Sequence, residues 1–243
     1  DAETTAVVHQ YVQKFPYVRH IAEPEQQGKP AALNLGLQAA QGDIVVFSDG
    51  DVVVGEKALA ALLARFADEN VGAVTGRPFS SSPRTTKLGY WSHLLVAGAH
   101  KTRLARDLAG DFLLFSGYLF GARGALISNR IAEQGFTIRY APDAAVFVKY
   151  PNSYADWLRQ KVRSAGGYAQ NYVRNSPYAM RSARLEAQHG TLLALKFARS
   201  PRELWWTLLL FAARLHLWLL VFWRERVQKR TLDTLWQRVE STK

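Results

Sequence analysis

Apolar residues in this chain fall into two rhythms. Unbroken runs at 44–47 (Ile-Val-Val-Phe), 71–75, 112–122 and 145–148 read as strands buried on both faces of a sheet. Residues 17–21 suggest a further short strand, and 52–54 a turn. Around them, segments 4–14, 30–41, 57–66, 88–108 and 154–166 carry helical patterning. The helix from Pro30 is the best punctuated. Proline suits its first turn, Leu33 and Leu37 share one face, and Gly42 suits its stop. The Ser-Ser-Ser-Pro stretch within 79–86 reads as a loop. Strands alternating with helices predict an α/β protein with a doubly wound, mostly parallel sheet and helices on both faces.

The pattern changes near residue 185. Residues 192–197 suggest an amphipathic helix, and 204–223 form a stretch of Leu, Trp, Phe and Ala interrupted only by Arg214 and His216. At ~1.5 Å per residue such a helix reaches about 30 Å, the thickness of a bilayer's hydrocarbon. A central arginine costs about 2.5–3.5 kcal/mol on insertion scales, which so many apolar neighbours can offset. Arg224, Arg226, Lys229 and Arg230 follow, a cytoplasmic-side signal if the helix spans. Spanning, lying in the interface and packing on the domain stay open as alternatives. The organisation expected is a domain over 1–180 and a helical, membrane-associated region over 185–243.

Composition narrows the partners. The 243 residues, 48% hydrophobic, suffice for one sizeable domain with an appendage. With no cysteine there is neither a disulfide framework nor thiolate chemistry. No secretory leader is expected from the opening residues. The net charge of +11 suits an anionic partner, either a nucleotide phosphate or the anionic leaflet of a membrane. No nucleic-acid-binding signature accompanies the charge, so nucleic acid is not an expected partner.

The candidate chemistry centres on Asp49-Gly50-Asp51, which ends the run at 44–47. Ligands of open α/β sheets sit outside the carboxyl ends of strands. Two carboxylates one residue apart can share a hard divalent cation there, with substrate phosphates completing its shell. Taken alone, the tripeptide is more readily a simple turn. Lys29, in the loop feeding the helix that begins at Pro30, can meet an anion jointly with free backbone N–H groups. His93 and His100 lack a partner at metal spacing and read as ordinary helix residues.

Gly28-Lys29-x-x-Ala32-Leu33-Asn34-x-Gly36-Leu37, followed by Gly42-Asp43-Ile44-Val45-Val46-Phe47-x-Asp49-x-Asp51, resembles the inverting family 2 glycosyltransferases with a GT-A fold, relatives of the cellulose, chitin and hyaluronan synthases. The resemblance covers roughly residues 1–175. It implies that Asp49 and Asp51, with Mg²⁺ or Mn²⁺, hold the diphosphate of a nucleotide-sugar donor, UDP-linked by expectation, and that Lys29 and Asn34 line the nucleotide side. Residues 112–122 resemble the strand of the acceptor pocket, with Ser116 and Gly117 facing the sugar; a glycine needed only for packing is the other reading. Residues 157–164 resemble the Gln-x-x-Arg-Trp motif. Gln160 and Arg163 share a helix face, and Arg163 can offer a planar fork to the leaving diphosphate. The implied reaction is metal-dependent, inverting transfer to an acceptor hydroxyl, carbohydrate or lipid-linked, at a membrane surface or bilayer, with the catalytic domain on the cytoplasmic side.

Three departures qualify this. The family's first strand has no counterpart ahead of Asp1-Ala2-Glu3, which resembles the end of an acidic nucleotide-contacting loop. The acidic pair that supplies the general base is missing near 123–130, although Gly135-Phe136-x-Ile138-x-Tyr140-x-Pro142 matches the family pattern on the C-terminal side of that pair. A loop carrying the base is expected outside these residues; a chain without a base, acting as a nucleotide-sugar or polysaccharide binding module, is the alternative. Ser164 replaces the motif's Trp, which argues against long-polymer synthesis. A basic membrane-surface scaffold is the remaining class.

Overall fold

A computed structural model of the chain describes residues 2–23, 25, 28–111, 117–124, 131, 134–169 and 183–226. In order, the elements are α1 (Ala2–Lys14), α2 (Lys29–Ala39), β1 (Ile44–Ser48), β2 (Val52–Val54), α3 (Ala58–Leu63) running into a 3₁₀ turn (Ala64–Ala67), β3 (Val71–Ser80), α4 (Lys87–Ala109), β4 (Leu119–Arg123), β5 (Thr137–Val148), α5 (Tyr154–Ala169), α6 (Ala183–Phe197) and α7 (Pro201–Arg226).

The strands form one sheet in the order β1-β4-β3-β5-β2. Helices on both faces are as expected. On one, α3 packs Leu62 with Phe66 against Val74, Leu119 and Val146. On the other, Leu104 of α4 lies over Ala73, Ala122 and Tyr140. Gly121 of β4 allows the approach of α3, since a Cβ there would stand 2.8 Å from Leu62 Cδ2.

The sheet is mixed, not mostly parallel. Among the described residues only β3 and β5 run parallel; β4 runs against both β1 and β3, and β2 turns back along β5. An apolar run reports how well a strand is covered and says nothing of its neighbour's direction. β1 is not buried on both faces either: Ile44 to Phe47 are half-buried on an edge strand. Residues 52–54, expected as a turn, form β2, with Val52 opposite Val148. Residues 17–21 join no strand among the described residues; a turn closes from Val18 N–H to the Phe15 carbonyl (3.0 Å), and Tyr17 is exposed.

β5 begins well before 145. Its ladder with β3 slips, because Thr75 faces Tyr140 whereas Arg77 faces Ala145. Pro142, with no N–H to donate, sits in the stretch that loops out. That proline separates the two apolar halves which sequence patterning joins poorly.

α4 starts where Thr86 Oγ1 accepts from the Gly89 N–H (3.1 Å) and stops at left-handed Gly110 (φ 70°). Its first half meets α7. Thr207, Leu210, Ala213, Leu217 and Val221 recur every three or four residues and are buried against α4 and α5. Three clips fix the register. Trp91 Nε1 donates to the Trp206 carbonyl (2.7 Å), the Tyr90 and Thr207 hydroxyls meet at 2.6 Å, and Arg84 forks onto both oxygens of Glu203 (2.8 and 2.9 Å). The remaining faces of α7 expose Trp205, Leu208, Leu215, Leu219 and Phe222. Among the described residues, Pro201–Arg224 is the one helix long and apolar enough to cross a membrane. His216, one of its two polar interruptions, pairs through Nδ1 with the Tyr154 hydroxyl of α5 (2.8 Å).

Candidate active site

The site forms where β1 and β4 end side by side. Ser48 lies opposite Leu119, and the ladder continues one step further, from the Asp49 N–H to the Tyr118 carbonyl (3.2 Å). This holds Asp49 beside the turn at Gly117-Tyr118. Lys29, first residue of α2, comes 20 positions earlier in sequence but reaches the same point. Its ammonium meets Asp49 Oδ1 and donates to the Gly117 carbonyl (3.0 Å). A Cβ on Gly117 would sit 3.5 Å from that ammonium, an ordinary contact, so the carbonyl is what Lys29 uses here. Lys29 therefore belongs to the Asp49 cluster.

Beneath lies a pair of phenols that sequence reasoning missed. Tyr118 and Tyr150 share a hydroxyl hydrogen bond, their rings meeting edge to face at 6.5 Å. Burial pushes both phenols up, so they keep their protons at neutral pH. Asp49 and Asp51 push Tyr118 the same way, while its bond with Tyr150 and the positive charge of Arg163 draw it back. Five residues from four parts of the chain thus share one electrostatic neighbourhood: Asp49, Asp51, Tyr118, Tyr150 and Arg163. The available signal for the phenols was position alone. Tyr118 follows Gly117 in the strand assigned to the acceptor pocket, and Tyr150 precedes the break at Pro151.

The other expected residues are less closely joined. Gln160, on α5, has its Oε1 enclosed without a hydrogen-bond partner among the described residues, a buried acceptor turned toward no protein donor. Asn34 is exposed on α2, and no hydrogen bond links it to the cluster among the described residues. Ser116 and the segment 125–130, where the acidic pair was sought, lie outside the described residues. His93 and His100 are structural, bonding to the Ser82 carbonyl and the Tyr140 hydroxyl at 2.9 Å each.

The donor set fits a hard divalent cation. Asp49 and Asp51 offer carboxylate oxygens, and among the described residues no group of three or more His, Cys, Asp or Glu forms a closed cage. Two carboxylates leave the rest of an octahedral shell to phosphate oxygens and water. The Lys29 ammonium against Asp49 shows that this position takes positive charge.

A mixed sheet with helices on both faces and an Asp-x-Asp at a strand end is the arrangement of a GT-A glycosyltransferase fold. Consistent with it, the structure aligns with mannosyltransferase PcManGT from Pyrobaculum calidifontis, solved in complex with GDP-Man and Mn²⁺. The TM-score is 0.52 and the identity 20%, covering 96% of this chain and 70% of that one. Sequence then fixes the family. The model described as Glycosyl transferase family 2 matches residues 1–132, and that described as Glycosyl transferase family group 2 matches 125–227. The chain belongs to glycosyl transferase family 2. It is similar to a poly-β-1,6-N-acetyl-D-glucosamine synthase of Staphylococcus aureus (26% identical over 178 residues, 66% of this chain and 43% of that protein). It is also similar to an N-acetylglucosaminyltransferase of Sinorhizobium fredii (22% over 209 residues, 72% and 48%). The match spans less than half the length of either relative.

Proposed function

We propose that this chain transfers a sugar from a nucleotide diphosphate donor, UDP-linked, to an acceptor oxygen with inversion, at the surface of a membrane. The observation that carries the reading is the convergence of Lys29, Asp49, Asp51 and Arg163 around Tyr118 at one strand end of a family 2 fold. Asp49 and Asp51 hold the donor's diphosphate through Mg²⁺ or Mn²⁺. The ion supplies positive charge to the departing diphosphate. Lys29 binds the phosphates from the α2 side, and Arg163 faces the leaving group from α5, with Gln160 beside it as a neutral contact. Tyr118 and Tyr150 keep water from beneath the reacting diphosphate, and since Tyr150 donates to Tyr118, the Tyr118 O–H is the one left to face it. Ser116 and Gly117 face the sugar, and Asn34 lies at the nucleotide's outer side.

The membrane part of the reading rests on α7. Its docked face packs on the first half of α4 and on α5, a helix that carries Arg159 and Arg163. A perpendicular crossing would draw those charges into hydrocarbon. α7 therefore lies in the interface plane, its exposed Trp, Leu and Phe side chains toward lipid and the basic domain against an anionic cytoplasmic leaflet.

The test is release of UDP from a UDP-sugar by the purified chain with Mn²⁺ and lipid present. Asp51→Ala should lower it by about 10²–10³-fold, while leaving stability within ~0.5 kcal/mol, as for an exposed residue. Undiminished release would sink the reading. A second reading, a nucleotide-sugar binding module, is favoured by one observation: no Asp or Glu lies between Asp111 and Glu133, where the family carries its base. It predicts Asp51-dependent nucleotide binding with no release.

A further inference from the structure

Lys29 and Asp49 form an ion pair held at one end only. Asp49 is fixed by its N–H on the Tyr118 carbonyl, at the joined ends of β1 and β4. Lys29 opens α2 directly after Gly28, whose left-handed φ of 93° turns the chain there. An ammonium has three N–H donors and no acceptor. One donor meets Asp49 Oδ1 and another goes to the Gly117 carbonyl (3.0 Å). Among the described residues these are its two partners, so a third donor is left over.

This pair is not built for stability. Both side chains stay partly open to solvent, where an ion pair contributes little. Helix α2 buries no residue, so no packing ties the lysine stem to this one position. The oxygen that the ammonium takes is also one that a divalent cation on Asp49 and Asp51 would use, and like charges cannot both crowd it. We infer that Lys29 is the resident counter-ion of Asp49 in the free protein. It gives up Asp49 to the metal ion as its ammonium moves onto the diphosphate of the nucleotide, so that metal and nucleotide load together. The inference rests on the transferase reading above and adds an order of events to it. A compact charge on a flexible four-carbon stem suits such an exchange between two anions.

Lys29 therefore opposes the metal and favours the nucleotide, and its removal should shift the two affinities in opposite directions. A lysine that served only as a phosphate ligand would shift one of them. The experiment titrates Mn²⁺ into the full chain without nucleotide, following the free ion by its electron paramagnetic resonance. Lys29→Gln should bind Mn²⁺ about tenfold tighter than the parent, although UDP with Mn²⁺ binds it less well. Lys29→Arg, which keeps the charge, should bind Mn²⁺ no tighter than the parent. The gain should vanish in an Asp49→Ala background, since the pair is then already broken.

Brief acylation of amines, read by mass spectrometry, follows the lysine itself. Mn²⁺ alone should raise labelling of Lys29 about threefold, and UDP added with it should lower labelling again. Lys57 and Lys101, exposed elsewhere, should label alike throughout. Three results would each overturn the inference: Mn²⁺ affinity unchanged or weaker in Lys29→Gln, a gain that persists without Asp49, or Lys29 labelling that Mn²⁺ does not alter. If UDP release still depends on Asp51, the transferase reading survives any of these. If release does not depend on Asp51, that reading falls and the counter-ion role falls with it.

Discussion

The Asp49 cluster and the α4–α7 contact are held by opposite means. At the cluster, Lys29 and Asp49 leave 44% and 26% of their side chains open, and α2, which brings Lys29 there, buries no residue. At the helical contact, Tyr90, Trp91 and Thr207 are almost wholly enclosed, and every clip between the helices lands on a named atom. An exposed ion pair contributes about 0–1 kcal/mol, so the cluster's charges are poor stabilisers and good ligands. The contact has the reverse character. Packing is its role, and charge enters it at the rim, through Arg84 with Glu203 and through Arg202, which donates to the Thr85 carbonyl and lies over the Trp206 ring. Substitutions should therefore separate the two regions, with function lost at one and stability at the other.

The largest effect on stability is expected from Trp91→Ala. The indole fills the junction of α4, α5 and α7, stacks edge-on with Trp157 at 5.4 Å and donates to Trp206. Removal should cost about 3–5 kcal/mol, as for other large buried aromatics. Denaturant unfolding followed by far-UV dichroism reads this. The fraction that remains folded should bind UDP with Mn²⁺ at unchanged affinity. A cost under ~1 kcal/mol would mean that α7 is not docked as described.

A smaller effect belongs to the rim. Arg84→Ala leaves Glu203 with only the Arg199 N–H (2.7 Å) as donor and should cost roughly 2 kcal/mol. The pair also sets a pH dependence. The Arg84 hydrogen bonds hold the Glu203 carboxyl at about 2, against an ordinary value of 4.5. A depressed folded value means that the stabilisation is complete above pH 4.5 and is lost as pH falls through about 2. Between these limits the unfolded carboxyl binds a proton that the folded one resists. In Glu203→Gln the part of acid destabilisation belonging to this pair should vanish, flattening stability against pH over that window. An unchanged slope would show that the fork is not formed in solution.

How far all this was legible in the sequence follows the same division. The residues of the Asp49 cluster stood out because their chemistry is local: Lys29 with its glycine before it, and Asp49 and Asp51 at the end of one apolar run. Helix α4 was found nearly to the residue because its apolar side chains recur with one period. What failed was pairing. Nothing in Ile44-Val45-Val46-Phe47 says that β4 will lie antiparallel beside it, and Pro142 hid the continuity of β5. Tyr118 and Tyr150 are 32 positions apart in sequence, and neither has a motif that points to the other. The apolar stretch at 204–223 left packing on the domain as one of three alternatives, and its partners there, Tyr90 and Trp91, emerged only from the fold.

The finest test sets two residues of one motif against each other. Lys29 and Asn34 were both expected on the nucleotide side, but five positions along a helix turn the side chain by about 140°. Lys29 reaches Asp49 and Gly117; Asn34 stays exposed. Titration of UDP with Mn²⁺ should show Lys29→Gln weakening binding about tenfold, since a charge-assisted contact to phosphate is lost. Asn34→Ala should weaken it only about twofold, as expected of a neutral, solvent-facing hydrogen bond made at the edge of the nucleotide. Neither should alter stability by more than ~0.5 kcal/mol. If Asn34→Ala costs as much affinity as Lys29→Gln, α2 must rotate onto the nucleotide when it binds. A helix that buries none of its residues has little packing to oppose such a turn.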